Sequence, residues 1–106
     1  MTQRPLSKLR VVDLTRVWSG PLATRMLADF GAQVVKVSDP RVPVGRSNGT
    51  ANKLSRNKLS LAMRLDDPHG RDAFLDLVSV SDVVVENFTP RVMPNFGLGY
   101  DVLRFC

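Results

Sequence analysis

The stretch from Leu9 to Val37, LRVVDLTRVWSGPLATRMLADFGAQVVKV, reads as strand, turn, helix and strand. Strands joined through a crossover helix lie parallel, so this one unit commits the chain to an α/β sheet with helices on its faces. Leu9 to Leu14 is β-rich and mostly apolar, as expected of a strand buried on both faces. Ser19 stands as the N-cap, and Pro21 falls in the first helical turn, where its missing N–H costs nothing. Leu22, Met26, Leu27 and Phe30 recur at helical spacing with Ala23 between them, which marks the expected buried face. Gly31 supplies a left-handed C-cap, and AQVVKV (Ala32 to Val37) is the second strand.

The same grammar returns after a break. Ser38 to Arg56 carries Pro40, Pro43, Gly45, Ser47, Asn48 and Gly49, the composition of a long loop, and loops of that length in small domains tend to carry function. KLSLAMRL (Lys58 to Leu65) is a third strand. Asp67 caps a second helix with Pro68 at its first position, and Ala73, Phe74, Leu77 and Val78 form its inward face. Asp82 precedes VVVENF, a short apolar fourth strand. Thr89-Pro90 opens a turn or distorted helix, because Pro94 clashes with the carbonyl four residues earlier. Gly97 and Gly99 break the chain again before a last helical segment, Tyr100 to Cys106. The order β-α-β-loop-β-α-β predicts a partial doubly wound parallel sheet of about four strands and two to three helices, a single domain over residues 1–106. Ligands of such sheets bind beyond the strands' carboxyl ends, here Thr15–Ser19, Ser38–Asp39, Asp66–Asp67 and Glu86–Phe88.

The turn RVWSGPL lacks both the glycine-rich dinucleotide fingerprint and the phosphate loop. What remains there is a helix N-terminus, whose free N–H groups and dipole favour an anion. Charge points the same way. From Arg41 to Arg64 lie six basic residues (Arg41, Arg46, Lys53, Arg56, Lys58, Arg64) and no acidic one. A segment of that kind attracts phosphates, nucleotides or nucleic acid. It lacks the interleaved aromatics that stack bases, so nucleic acid is not the expected partner. His69 is the only histidine and Cys106 the only cysteine, which leaves no histidine-based triad, no metal site and no internal disulfide to argue. Asp13, Asp39 and Glu86, near strand ends, read first as structural polar groups. No apolar run is long enough for a membrane span, and residues 1–12 lack the apolar core of a secretory leader, which sets the expectation of a cytoplasmic chain with no membrane partner.

Four pieces in order, LRVVDLTRVWSGPLATRMLADFGAQVVKV, SRNKLSLAMRLDDPHGRDAFLDLV, SDVVVENFTP and FGLGYDVLR, together resemble the family III CoA-transferases, which include formyl-CoA transferase, the carnitine CoA-transferases and the α-methylacyl-CoA racemases. The resemblance covers residues 9–104. It implies a Rossmann-like domain of which this chain matches only the first part, with coenzyme A, free or as an acyl-CoA, over the strand ends. It also implies subunits that interlock as a dimer, so that a homo-oligomer or a partner chain would supply the missing strands.

By position, the resemblance puts Val17 and Trp18 beside the cofactor, Lys36 and Asp39 near the adenosine, Met63 and Asp66 near the adenine, and Asn87 and Phe88 beside the nucleotide. Arg46 and Lys58 of the basic segment would meet CoA's phosphates, and Phe96 with Phe88 would pack near the adenine or the pantetheine arm unless both serve the core. Some positions depart from the family pattern: Trp18 stands for glutamine or alanine, Leu59 for the arginine of RNKRS, Arg91 for the glycine of NFxPG, and Asn95 for a phosphate-reaching arginine. The aspartate nucleophile of the family lies downstream of residue 106, and Asp101 reads as a helix-start residue. The chain is therefore expected to bind CoA without catalysing transfer alone. The alternative is an assembly module that presents the apolar edge VVVEN to another chain.

Overall fold

A computed structural model describes residues 4–16, 19–40 and 57–106. Four strands, β1 (Arg10–Asp13), β2 (Gln33–Ser38), β3 (Lys58–Ala62) and β4 (Val83–Val85), form one parallel sheet in the order β3-β2-β1-β4. The helices are α1 (Ser19–Asp29), α2 (Pro68–Ser79), and two single turns, α3 (Val92–Asn95) and α4 (Tyr100–Leu103). The doubly wound reading is met, with four helices among the described residues where two to three were expected. The extra count comes from the segment after β4, which breaks into two separate turns. Gly97, at φ +73, and Gly99 separate them, and Pro94 sits inside the first.

β1 carries the sheet because it is paired on both sides, Val12 with Val35 of β2 and with Val84 of β4. Its alternate side chains feed two cores. On one face Val11 and Val34 pack with Ala28 and Ala32 under α1. On the other, Val12, Leu14 and Val37 pack with Phe74 and Val78 of α2 and with Met93 and Leu98. Phe74 and Leu98 are fully buried, each contributing about 1.5–3 kcal/mol by removal from water. Asp67 caps α2 as its sequence predicts, accepting a hydrogen bond from the His69 N–H at 2.9 Å, with Pro68 at the first position. Gly31 ends α1 at φ +109, a left-handed conformation that a side chain would strain.

Four expectations are corrected. The residues that α1 buries are Pro21, Thr24 and Ala28, while Met26 and Phe30 are about half exposed (50% and 56%) and Ala23 is exposed. Small residues of α1 face the sheet most fully, Leu27 packs at the margin of that core, and Met26 and Phe30 are turned outward. Ser19 is the first residue of α1 rather than its cap, and the cap position lies outside the described residues. β1 and β3 are shorter than the apolar runs suggested, and beyond β3 the side chains of Met63 and Leu65 pack on the α2-side core. Ala73 is exposed, which narrows α2's inward face to Phe74, Leu77 and Val78.

Candidate functional site

β1 feeds α1 on one face of the sheet, whereas the chain after β4 turns to the other face, where Met93 and Leu98 join the α2-side core. The connections therefore part between β1 and β4 and open a crevice at the carboxyl ends of these strands, the place where doubly wound sheets bind ligands. Residues 14–16 form one lip and residues 86–88 the other.

Asn87 ties the lips together. Its Oδ1 accepts from the Arg16 N–H at 3.0 Å and its Nδ2 donates to the Arg16 carbonyl at 2.8 Å. The Arg16 guanidinium then lies over the Phe88 ring, 5.5 Å from the centroid, within cation–π range. Glu86 accepts from the Phe88 N–H at 2.9 Å, so its carboxylate shapes its own loop, as its structural reading anticipated. Gly20 explains the single glycine of the turn. A Cβ there would stand 2.7 Å from the Thr15 Cβ and 2.9 Å from the Asn87 Nδ2. The glycine is required by the close approach of α1 to the lips, not by an unusual backbone angle.

Asp39, Met63, Phe88 and Phe96 line one notch at the strand ends, together with Arg16 and Val37, and Asn87 borders it through Arg16. The notch itself is small, about 40 Å³, and Phe96 and Leu65 also line a wider cleft of about 380 Å³ that contains Asp66, Asp67, Arg71 and Asn95. Asp66 thus sits one cleft away, paired with Arg64 at 3.2 Å. Phe88, Phe96 and Met63 pack against the α2-side core as well, so each of the two aromatics is partly core and partly notch wall. Val17, Trp18 and Arg46 lie outside the described residues.

Lys36 and Lys58 do not join this group. β2 continues to Ser38, which leaves Lys36 inside the strand, paired in register with Asp13 and sharing its face on the α1 side. The Lys58 ammonium points into the fold. It lies 2.8 Å from Asp13 Oδ2 and 3.1 Å from the Pro21 carbonyl, with 1% of its side chain exposed. Its charge is spent on the fold rather than offered to a phosphate.

Asp13 completes a buried knot beneath the turn. Its carboxylate accepts from the Thr15 N–H, both threonine hydroxyls (Thr15 and Thr24) and Lys58. Burial pushes the Asp13 pKa up, but the hydrogen bonds from Lys58, Thr15 and Thr24 outweigh it and hold the carboxyl below its ordinary value. Burial lowers the Lys58 pKa, and the Asp13 bond recovers only part of that against the nearby charges of Lys36 and Arg25. The pair ties β3 to the end of β1 and to the first turns of α1.

The model of CoA-transferase family III matches residues 6–105. The chain belongs to that family. It is 44% identical to the succinyl-CoA:mesaconate CoA-transferase of Haloarcula marismortui over 93% of its own length, and 38% identical to the succinyl-CoA–L-malate CoA-transferase beta subunit of Chloroflexus aurantiacus over 96%. Among solved structures, a CAIB/BAIF family protein from Brucella suis superposes with a TM-score of 0.88 at 32% identity, over 98% of this chain. The chain spans 28% of the length of the two curated relatives and 31% of the solved chain.

Within this CoA-transferase family member, no described helix is long and apolar enough to cross a membrane. Among the described residues no three metal-ligating side chains gather. Sequence reasoning missed Arg16. A lone arginine in the turn carries no signal by itself, and only its placement opposite Phe88 singles it out. Asp101 lies in the first turn of α4, as a helix-start residue should.

Proposed function

We propose that this chain is the CoA-binding N-terminal part of a CoA-transferase, binding CoA or an acyl-CoA at the strand ends and requiring further polypeptide for transfer of CoA between carboxylic acids. The observation that carries the reading is the convergence of Arg16, Asp39, Met63, Phe88 and Phe96 on one notch at the carboxyl ends of the strands. An apolar wall with an adjacent cation suits a nucleotide whose base is planar and whose phosphates are charged. The reading includes the cytoplasm as its compartment. Isothermal titration of the chain with CoA tests it: saturable heat is expected, and no heat at millimolar ligand would sink it.

A second reading concerns assembly. β4 pairs with β1 alone among the described strands, and beside its outer edge runs a groove of about 540 Å³ lined by Val78, Val83, Met93, Leu98 and Leu103. Unpaired edges with apolar surroundings recruit another strand. In this reading the edge pairs with a second copy of the chain in a homodimer. Two-fold symmetry would make that β4–β4 contact antiparallel. One of the relatives is named as a beta subunit, which supports an assembled state for the family. Light scattering at micromolar concentration tests it, and a monomeric mass contradicts it.

A further inference from the structure

We infer that Arg16 is a phosphate-recognising residue of the nucleotide site, acting through its guanidinium at the crevice between β1 and β4. The inference rests on the CoA-binding reading above and names the side chain that meets the ligand's phosphates. Four observations carry it. Arg16 follows the central strand at the switch point, where the two lips part. Its backbone is held at both the N–H and the carbonyl by Asn87, at 3.0 and 2.8 Å, so little ordering is left for a ligand to impose. Its guanidinium makes no ion pair among the described residues and instead lies over Phe88. Asp39, the carboxylate of the same notch, has an interaction of its own.

A cation held over a ring makes no hydrogen bond to it, so the N–H groups of the guanidinium are not used up by Phe88. The planar fork of an arginine matches two phosphate oxygens, which a lysine ammonium would not do. The N-terminus of α1, an eleven-residue helix starting at Ser19, adds positive potential on the same lip. The Arg41–Arg64 segment was the expected source of cations, but its Lys58 is consumed by Asp13. Arg16 supplies a charge where the fold leaves one available.

The test is titration of the chain and of its R16A and R16K variants with CoA, 3′-dephospho-CoA and pantetheine. R16A keeps the Asn87 clamp, which uses only backbone atoms of residue 16, and circular dichroism should show an unchanged fold. R16A is expected to weaken CoA about ten- to a hundredfold, the worth of hydrogen bonds to a charged group, with R16K intermediate and pantetheine unaffected. Equal weakening of CoA and dephospho-CoA assigns Arg16 to the pyrophosphate, and loss for CoA alone assigns it to the 3′-phosphate. Either result supports the inference. Unchanged CoA affinity in R16A, or an equal loss for pantetheine, overturns it while leaving the CoA reading intact. No binding of CoA by the unsubstituted chain overturns both.

Discussion

Asn87 grips the backbone of Arg16 from both sides, accepting from its N–H at 3.0 Å and donating to its carbonyl at 2.8 Å, across a gap of 71 residues in sequence. One side-chain amide thus closes the crevice rim between β1 and β4 and sets where the Arg16 guanidinium stands. Replacing Asn87 by alanine removes both bonds. The expected cost is about 1–2 kcal/mol by urea denaturation. CoA affinity should fall as well, because the lip that carries Arg16 is released, and N87A combined with R16A should lose less than the sum of the two changes.

The Asp13–Lys58 pair is buried on both sides, with 0% and 1% of the side chains exposed. Removing one partner leaves an uncompensated charge in the interior, so Lys58→Met is expected to destabilise by roughly 3–5 kcal/mol. If Lys58 instead served a phosphate, the same change would spare stability and cost affinity. Denaturant unfolding alongside titration separates the two.

Acid titration follows from the same knot. The Asp13 pKa is lowered in the fold, so the folded chain binds fewer protons than the unfolded chain just below the ordinary aspartate value of 3.8. Its stabilising share is therefore complete above that value and is lost as pH falls through the lower folded pKa. Asp13→Asn should be less stable at neutral pH and should show a shallower loss of stability on the acid limb, read from unfolding free energies measured between neutral and strongly acidic pH.

Gly20 tests the packing of α1 against the lips. By helix propensity alone, alanine would be better than glycine by about 1 kcal/mol. A Cβ at this position meets the Thr15 Cβ at 2.7 Å and the Asn87 Nδ2 at 2.9 Å. Gly20→Ala is therefore expected to destabilise by about 1–3 kcal/mol, with its melting temperature lowered rather than raised.

The orientation of α1 gives a matched pair. Met26 is half exposed and Ala28 is buried. Met26→Lys should change stability by no more than about 0.5 kcal/mol, whereas Ala28→Lys should unfold a large share of the chain at room temperature, checked by circular dichroism.

Much of the architecture is legible in the residues alone. Asp67-Pro68, Gly31 and Gly97 mark boundaries through local chemistry, namely a side-chain cap and positive φ angles, and each boundary falls where those residues predict it. The buried face of α1 is not legible in the same way. Hydrophobic spacing favours Leu22, Met26, Leu27 and Phe30, of which Leu27 packs against the core, but the residues the helix buries are Pro21, Thr24 and Ala28, and how close two elements pack is not written in one element's periodicity. At the strand ends, Asp39, Met63, Phe88 and Phe96 line one notch with Arg16, a shared placement that no local signal shows, while the Lys58 ammonium is paired with buried Asp13.

By itself, then, the sequence determined the order of elements, their parallel pairing and the membership in a family, because strand, cap and breaker signals act over a few residues and a crossover helix leaves only one pairing sense. Only the tertiary structure decided which charges are spent and which remain. Lys58 and Arg16 are both cations near strand ends, and nothing local tells them apart. The distinction comes from what stands opposite each one in space: a buried carboxylate from β1 for Lys58, and an uncharged aromatic ring from the β4 lip for Arg16.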